Sequence, residues 1–217
     1  MLGIIRVFTA DEEIAGKHGR IITNCFGLRT ATFTIDDQPL GIYDDATHKQ
    51  AIPKIVAAAK KAEAAGVKAL LISCAADPGV EECRQALSIP VIGAGSAASG
   101  IGLALGRRVG VLNLTGPTPP AITKLLGDRL VAAASPPGVG NTTHLLNPSG
   151  MNLAIETAQM LAQQADVIVF ACTGYSTIGL AKILRNKIPL PVVDAVEAGG
   201  AVALYHIRGI MDGTESR

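Results

Sequence analysis

Two short apolar runs, each ending in a cysteine, constrain this chain more than anything else in it. Ala69-Leu70-Leu71-Ile72-Ser73-Cys74 leads directly into Ala75-Ala76-Asp77-Pro78-Gly79. Ninety-eight residues on (172 − 74), Val167-Ile168-Val169-Phe170-Ala171-Cys172 leads into Thr173-Gly174. Each run has the length of a strand buried on both faces of a parallel sheet. Each cysteine therefore falls where a strand ends and a helix is expected to start. A helix N-terminus offers unpaired N–H groups and the positive end of a dipole, which makes a thiol easier to ionise. Two thiols in matched positions predict one site assembled from two halves.

The flanking segments repeat as well. Gly3-Ile4-Ile5-Arg6-Val7 is echoed by Gly110-Val111-Leu112-Asn113-Leu114, and Ile89-Pro90-Val91-Ile92-Gly93 by Leu190-Pro191-Val192-Val193-Asp194. Strands are expected at 3–8, 29–35, around Cys74 and at 90–93, then at 110–114, 130–134, around Cys172 and at 190–195. Helices are expected at 12–25, 46–65, 80–87 and 97–105, then at 119–126, 151–164, after Cys172 and at 197–207. Thr9 or Asp11 would cap the first of these, and Thr118 the one that begins at Pro119. The alternation predicts an α/β chain of two pseudo-symmetric domains, each a parallel four-stranded sheet flanked by helices. The first domain is expected over residues 1–95 plus 197–217, its C-terminal helix packing back, and the second over 96–196. Ligands of open parallel sheets bind beyond the carboxyl ends of the strands. Two such sheets facing each other would place both cysteines, with the loops 36–41 and 135–140, in one interdomain cleft.

Composition closes off other classes. A net charge of +1 with no long run of one sign argues against a nucleic-acid binder. No apolar stretch is long enough to span a bilayer, and Met1-Leu2-Gly3-Ile4-Ile5-Arg6 lacks the features of a signal peptide. The cytoplasm is the expected setting, with reduced cysteines and no membrane partner. The four cysteines form no CxxC pair, so no metal site is expected. Cys25 and Cys83 have no repeat partners and read as helix-packing residues. Gly93-Ala94-Gly95-Ser96-Ala97-Ala98 approaches a dinucleotide fingerprint but follows the fourth strand rather than the first, so a nucleotide-binding oxidoreductase has little support. Asp194 reads as a cap for the final helix.

The four histidines, His18, His48, His144 and His206, bear no repeat relation to the cysteines, which argues against a Cys–His acyl transferase. A symmetric thiol pair suits inversion of a carbon centre. One group, ionised, removes a proton from one face, and the other, protonated, returns one to the opposite face. No lysine sits in a pyridoxal phosphate motif, so the substrate's own carbonyl must acidify that proton. The N–H groups of Ala75, Ala76, Thr173 and Gly174 are expected to hold the developing charge. Arg6, Thr9, Gln38 and Thr115 are the further candidate substrate-binding residues. A guanidinium at Arg6 would suit a carboxylate, and a structural salt bridge is the alternative. A two-lobed small-molecule binding protein without chemistry is the rival of another class.

At Cys74 with Asp77-Pro78-Gly79, at Ile89-Pro90-Val91-Ile92-Gly93 and at Cys172-Thr173-Gly174 with Pro191-Val192-Val193-Asp194, the chain resembles the aspartate/glutamate/hydantoin racemase superfamily. The likeness runs from Gly3 to about Leu204 and is nearest the hydantoin racemases. It implies cofactor-independent two-base racemisation by Cys74 and Cys172, a small-molecule substrate and a homo-oligomer. The implied substrates are 5-substituted hydantoins, with an aspartate or glutamate type of amino acid as the alternative. Two departures stand out. Hydantoin racemases usually carry an Asn-Pro-Asn-Thr type of sequence after the first strand, where this chain has Arg6-Val7-Phe8-Thr9. The residue after the first cysteine is often aromatic in that group and is Ala75 here.

Overall fold

A computed structural model of the chain describes residues 1–42 and 44–214, with side chains as far as 209; residues 215–217 of the expected first domain lie outside the described residues. The chain divides into two compact units, one made of Met1–Ala94 and the helix from Gly199 onward, the other of Gly95–Ala198.

The first unit starts with β1 (Leu2–Arg6), buried throughout. Two helices follow, α1 (Glu12–Ala15) and α2 (Lys17–Phe26), where one continuous helix was expected. Asp11 caps α1 through a hydrogen bond from the Ile14 N–H, and Gly16 separates the two helices. Then come β2 (Thr30–Thr34) and α3 (Asp45–Ala64), the latter opened by a capping box between Asp44 and Thr47. The unit's sheet is completed by β3 (Ala69–Ile72), α4 (Val80–Ala86) and β4 (Val91–Gly93). All pairings are parallel, in the order β2-β1-β3-β4, with Ile5 opposite Ile72 and Ile72 opposite Gly93. One face of the sheet packs Ile5, Val7, Leu70 and Ile72 against Ile55 and Ala59 of α3. Each of the Val, Leu and Ile side chains contributes roughly 1.5–3 kcal/mol on burial.

The second unit repeats the plan. Its elements are α5 (Ala94–Leu105), β5 (Val109–Leu112), α6 (Pro120–Leu126), β6 (Leu130–Ala134), α7 (Pro148–Ala162) and β7 (Val167–Phe170). Two short helices, α8 (Gly174–Thr177) and α9 (Leu180–Leu184), precede β8 (Val192–Val193). The sheet is again parallel throughout, in the order β6-β5-β7-β8, with Leu112 opposite Phe170 and Val169 opposite Val193. The two sheets thus share one topology. Phe170 and Tyr175 pack within this core, ring centroids 5.2 Å apart. Thr118 does not cap α6 as expected. The helix starts at Pro120 without a side-chain cap, and the Thr118 hydroxyl accepts a hydrogen bond from Asn113 Nδ2.

The last helix, α10 (Ala195–Thr214), is longer than its sequence pattern suggests. Asp194 caps it as expected, accepting from the N–H groups of Val196 and Glu197. Within the first unit α10 lies close to its neighbours. A methyl group on Gly199 would overlap Leu71 of β3, and one on Gly200 would press on Phe26 and Ile22 of α2. The glycine pair is what permits that approach. Among the described residues no helix is long and apolar enough to cross a membrane.

Candidate active site

The two cysteines are built in the same way, each within its own unit. The residue before each is tied to the first strand of its sheet. Ser73 N–H donates to Ile5 C=O (2.9 Å), and Ala171 N–H donates to Leu112 C=O (2.9 Å). Each cysteine then opens a tight turn. Cys74 C=O accepts from Asp77 N–H (3.0 Å) and Cys172 C=O from Tyr175 N–H (3.4 Å). Both sit two residues past the last residue of the central strand, and both are partly exposed.

Beyond the backbone the two settings differ. Cys172 lies just ahead of α8, and Gly174 N–H reaches its Sγ at 3.3 Å. Cys74 does not stand at a helix start, because α4 begins only at Val80. The expectation of two helix N-termini is therefore corrected to one. Nor does that one ease ionisation of the thiol. Burial pushes Cys172 up from 9.0 to about 11; the N–H groups of Gly174 and Tyr175 oppose the rise, and the Asp194 charge adds to it. Asp194 is itself buried, and burial raises its carboxyl against the pull of the Ser176 hydroxyl, 2.7 Å away. Tyr175 Oη donates to the Asn113 carbonyl at 2.7 Å, while Asn113 Oδ1 is buried without a partner.

In the first unit the groups near Cys74 are polar and one is cationic. Arg6, only 6% exposed, donates from Nη1 to the carbonyls of Ala15 (3.1 Å) and Ile14 (3.4 Å), and its guanidinium lies 4.8 Å from the Phe8 ring centroid. Neither a carboxylate nor a salt bridge holds it among the described residues; the C-terminal carbonyls of α1 do. Burial lowers the Arg6 pKa to about 10, and attraction to the Cys74 sulfur works against that fall. His18, fully buried on α2, has Nδ1 2.8 Å from Ser73 Oγ, directly before the cysteine. The pair spans 55 positions and no motif announces it. Asp77 takes a left-handed backbone (φ 53°), and its carboxyl lies where a side chain on Gly93 would have to go. That contact gives the glycine after β4 a packing reason.

The remaining candidates distribute unevenly. Ala75 is buried and Ala76 partly so, and their N–H groups carry no hydrogen bond among the described residues. Thr9 Oγ1 donates to Ile35 C=O and accepts from Gln38 N–H, both at 2.9 Å. Gln38 is buried, and its amide bonds the carbonyls of Gly41 and Thr47 and the Lys54 ammonium, which commits it to holding its loop. Thr115 is exposed on the turn after β5, and Thr173 is partly buried beside Cys172. A shallow pocket of about 210 Å³ in the second unit is lined by Gly138, Val139, His144, Asn147, Ser149, Gly150 and Leu153, and by none of these candidates. Cys83 is buried as expected, whereas Cys25 is exposed and does not serve to pack its helix. Among the described residues no cluster of three or more His, Cys, Asp or Glu is placed to hold a metal ion.

Residues 27–203 match the family model described as Asp/Glu/Hydantoin racemase. A hydantoin racemase of Rhizobium meliloti is 28% identical over 174 residues, covering 77% of this chain and 71% of that one. A hydantoin racemase of Pseudomonas sp. (strain NS671) is 26% identical over 159 residues, covering 68% of this chain and 61% of its own length. The solved allantoin racemase of Klebsiella pneumoniae superposes with a TM-score of 0.83 at 19% identity, over 96% of this chain and 87% of that one, which establishes a common fold. With the family model covering most of both units, the chain belongs to the Asp/Glu/hydantoin racemase family and is a racemase, an isomerase by class.

Proposed function

We propose that this racemase inverts the Cα centre of 5-substituted hydantoins, with Cys74 and Cys172 as its acid–base pair and no cofactor. The observation that carries the reading is the shared backbone construction at both sulfurs: a strand-tied residue, the cysteine, and a tight turn closed onto the cysteine carbonyl. The substrate class draws support from the two hydantoin racemases to which the chain is similar. Arg6, the residue that would favour a free carboxylate, already uses Nη1 on the α1 carbonyls, which speaks against the aspartate or glutamate alternative.

In the proposed step the stereocentre lies between the sulfurs. One thiolate takes the Cα proton, the C–H electron pair moves onto the adjacent carbonyl as an enolate, and the opposite thiol returns a proton to the other face. The thiolate and thiol have then exchanged roles, and the reverse turnover restores them. N–H groups of Ala75, Ala76, Thr173 and Gly174 are the proposed donors to the enolate oxygen, which concentrates charge only as the proton leaves. Thr9 and Thr115 are proposed to flank the substrate, and Gln38 to shape the loop above it. We take the enzyme to work on its small-molecule substrate as a homo-oligomer in the cytoplasm, without nucleic acid or membrane. Its two domains are proposed as 1–95 plus 197–217 and 96–196, with the cleft between them as the site.

The test is optical rotation with a panel of 5-substituted hydantoins and free amino acids, for the wild type and for Cys74→Ser and Cys172→Ser. Racemisation of a hydantoin should fall by about 10²–10⁴-fold in each variant. Full activity in either variant, or turnover of amino acids alone, contradicts the proposal.

A further inference from the structure

The two half-sites are superimposable in plan but differ in charge, and the difference lies at one pair of equivalent positions. Arg6 ends β1 and Asn113 follows β5, so the repeat puts a cation beside one cysteine and a neutral amide in the place equivalent to it beside the other. Both residues are buried, at 6% and 4% exposure, and each keeps one atom without a partner among the described residues: Arg6 Nε and Asn113 Oδ1. Accepting the two-cysteine reading above, we propose that Arg6 is the counter-ion of Cys74 and sets the resting charge of the pair: Cys74 is the thiolate, and Cys172 keeps its proton.

Among the described residues no carboxylate forms an ion pair with Arg6. β1 pairs with β3 in a register that sets Ile5 opposite Ile72, so Arg6 stands one residue past the last pair and Cys74 two residues past it on the adjacent strand. The carbonyls of Ile14 and Ala15 hold the guanidinium from one side, and the Phe8 ring lies against it. Glu12 and Glu13 on α1 are exposed and make no ion pair with it. From α2 the buried titratable group is His18, engaged with Ser73 Oγ, while Arg20 and Cys25 are exposed and Lys17 is partly so. After β3 the acidic group is Asp77, whose carboxyl lies against Gly93. A buried guanidinium without a carboxylate is costly, and a thiolate beside it relieves that cost while being stabilised in return. The attraction between Arg6 and the Cys74 sulfur has that sign. Around Cys172 the charged neighbour is Asp194, an anion, which opposes a second negative charge.

Arg6 is on this view a positioning residue, acting through the sulfur. It makes the resting enzyme competent first toward the enantiomer whose Cα proton faces Cys74.

The experiment is iodoacetamide alkylation against pH, read residue by residue by mass spectrometry on the full chain, with exposed Cys25 as the internal reference. In the unsubstituted protein Cys74 should label with a midpoint at lower pH than Cys172. Arg6→Gln should move the Cys74 midpoint up by about 1–3 pH units and leave Cys172 in place. Arg6→Lys, which restores a cation, should recover most of that shift. Circular dichroism checks that each variant is folded. If Arg6→Gln fails to fold, the ionisation order in the unsubstituted chain decides. A Cys74 midpoint unmoved in folded Arg6→Gln, or Cys172 ionising before Cys74, overturns the proposal. Labelling does not depend on turnover. Racemisation surviving Cys74→Ser would therefore sink the two-cysteine reading and leave the ionisation order standing as a separate result.

Discussion

The halves of this enzyme share a backbone and differ in electrostatics. In the Cys74 half a buried guanidinium, a buried histidine and a serine hydroxyl stand around the strand end. In the Cys172 half the matching space holds Asn113, Tyr175 and the Ser176–Asp194 pair, with no cation among their hydrogen-bond partners in the described residues. Repeat symmetry brings two equivalent sulfurs to equivalent places. The proposed two-thiol racemisation needs the opposite of equivalence at any instant, because one sulfur must lack a proton while the other carries one. The departure from symmetry at Arg6 and Asn113 is the proposed source of that inequality.

Alkaline pH sharpens the comparison, since each half holds one thiol that resists ionisation. Cys83 in the first half is raised to about 11 by burial, with Glu82 adding to it, and Cys172 in the second is raised to about 11 as well. An acid whose folded value is raised holds its proton longer than the unfolded chain does. Its contribution is complete below its ordinary value of 9.0 and is lost as pH climbs from there to about 11. At about 1.4 kcal/mol per unit, each thiol accounts for roughly 2–3 kcal/mol across that window. Urea titrations at pH 8 and pH 11 should show the loss, and Cys83→Ala should remove the first half's share of the slope. A stability independent of pH between 9 and 11 would show that neither thiol is held neutral.

A smaller effect is expected at Asp194, which belongs to the second half alone. It accepts from Ser176 Oγ and from two N–H groups at the start of α10. Asp194→Ala should cost about 1–2 kcal/mol through the lost cap. Asp194→Asn keeps an acceptor and removes the charge, so it should cost less and lower the labelling midpoint of Cys172 without moving that of Cys74. An equal shift at both cysteines would mean that the halves are not electrically separate.

Much of the plan was legible in the sequence because it rests on local signals. Apolar runs of strand length, the repeated Pro-Val pairs and Asp11 and Asp194 as caps all act within a few residues of where they are read. The break at Gly16 was not legible, since the pattern of 12–25 fits one helix and only the backbone geometry divides it. The His18–Ser73 pair was not legible either, because 55 positions and a sheet pairing bring it together. Cys25 was read as packing its helix, but it falls on the outward face of α2. Gln38 was read as a candidate substrate-binding residue. The structure shows its amide consumed by that loop, a role that depends on Gly41, Thr47 and Lys54 converging on it.

The central claim is that two sulfurs serve opposite faces of one carbon. It is tested most directly by deuterium incorporation into each pure enantiomer of a 5-substituted hydantoin in deuterated water, followed by NMR for the wild type, Cys74→Ser and Cys172→Ser. A serine hydroxyl is too weak a base to replace a thiolate, though it can still deliver a proton. The wild type should exchange and racemise both enantiomers. Each variant should exchange the Cα proton of one enantiomer, and the enantiomer that still exchanges should be opposite in the two variants. Exchange of both enantiomers in either variant, or the same surviving enantiomer in both, would contradict the assignment of one cysteine to each face.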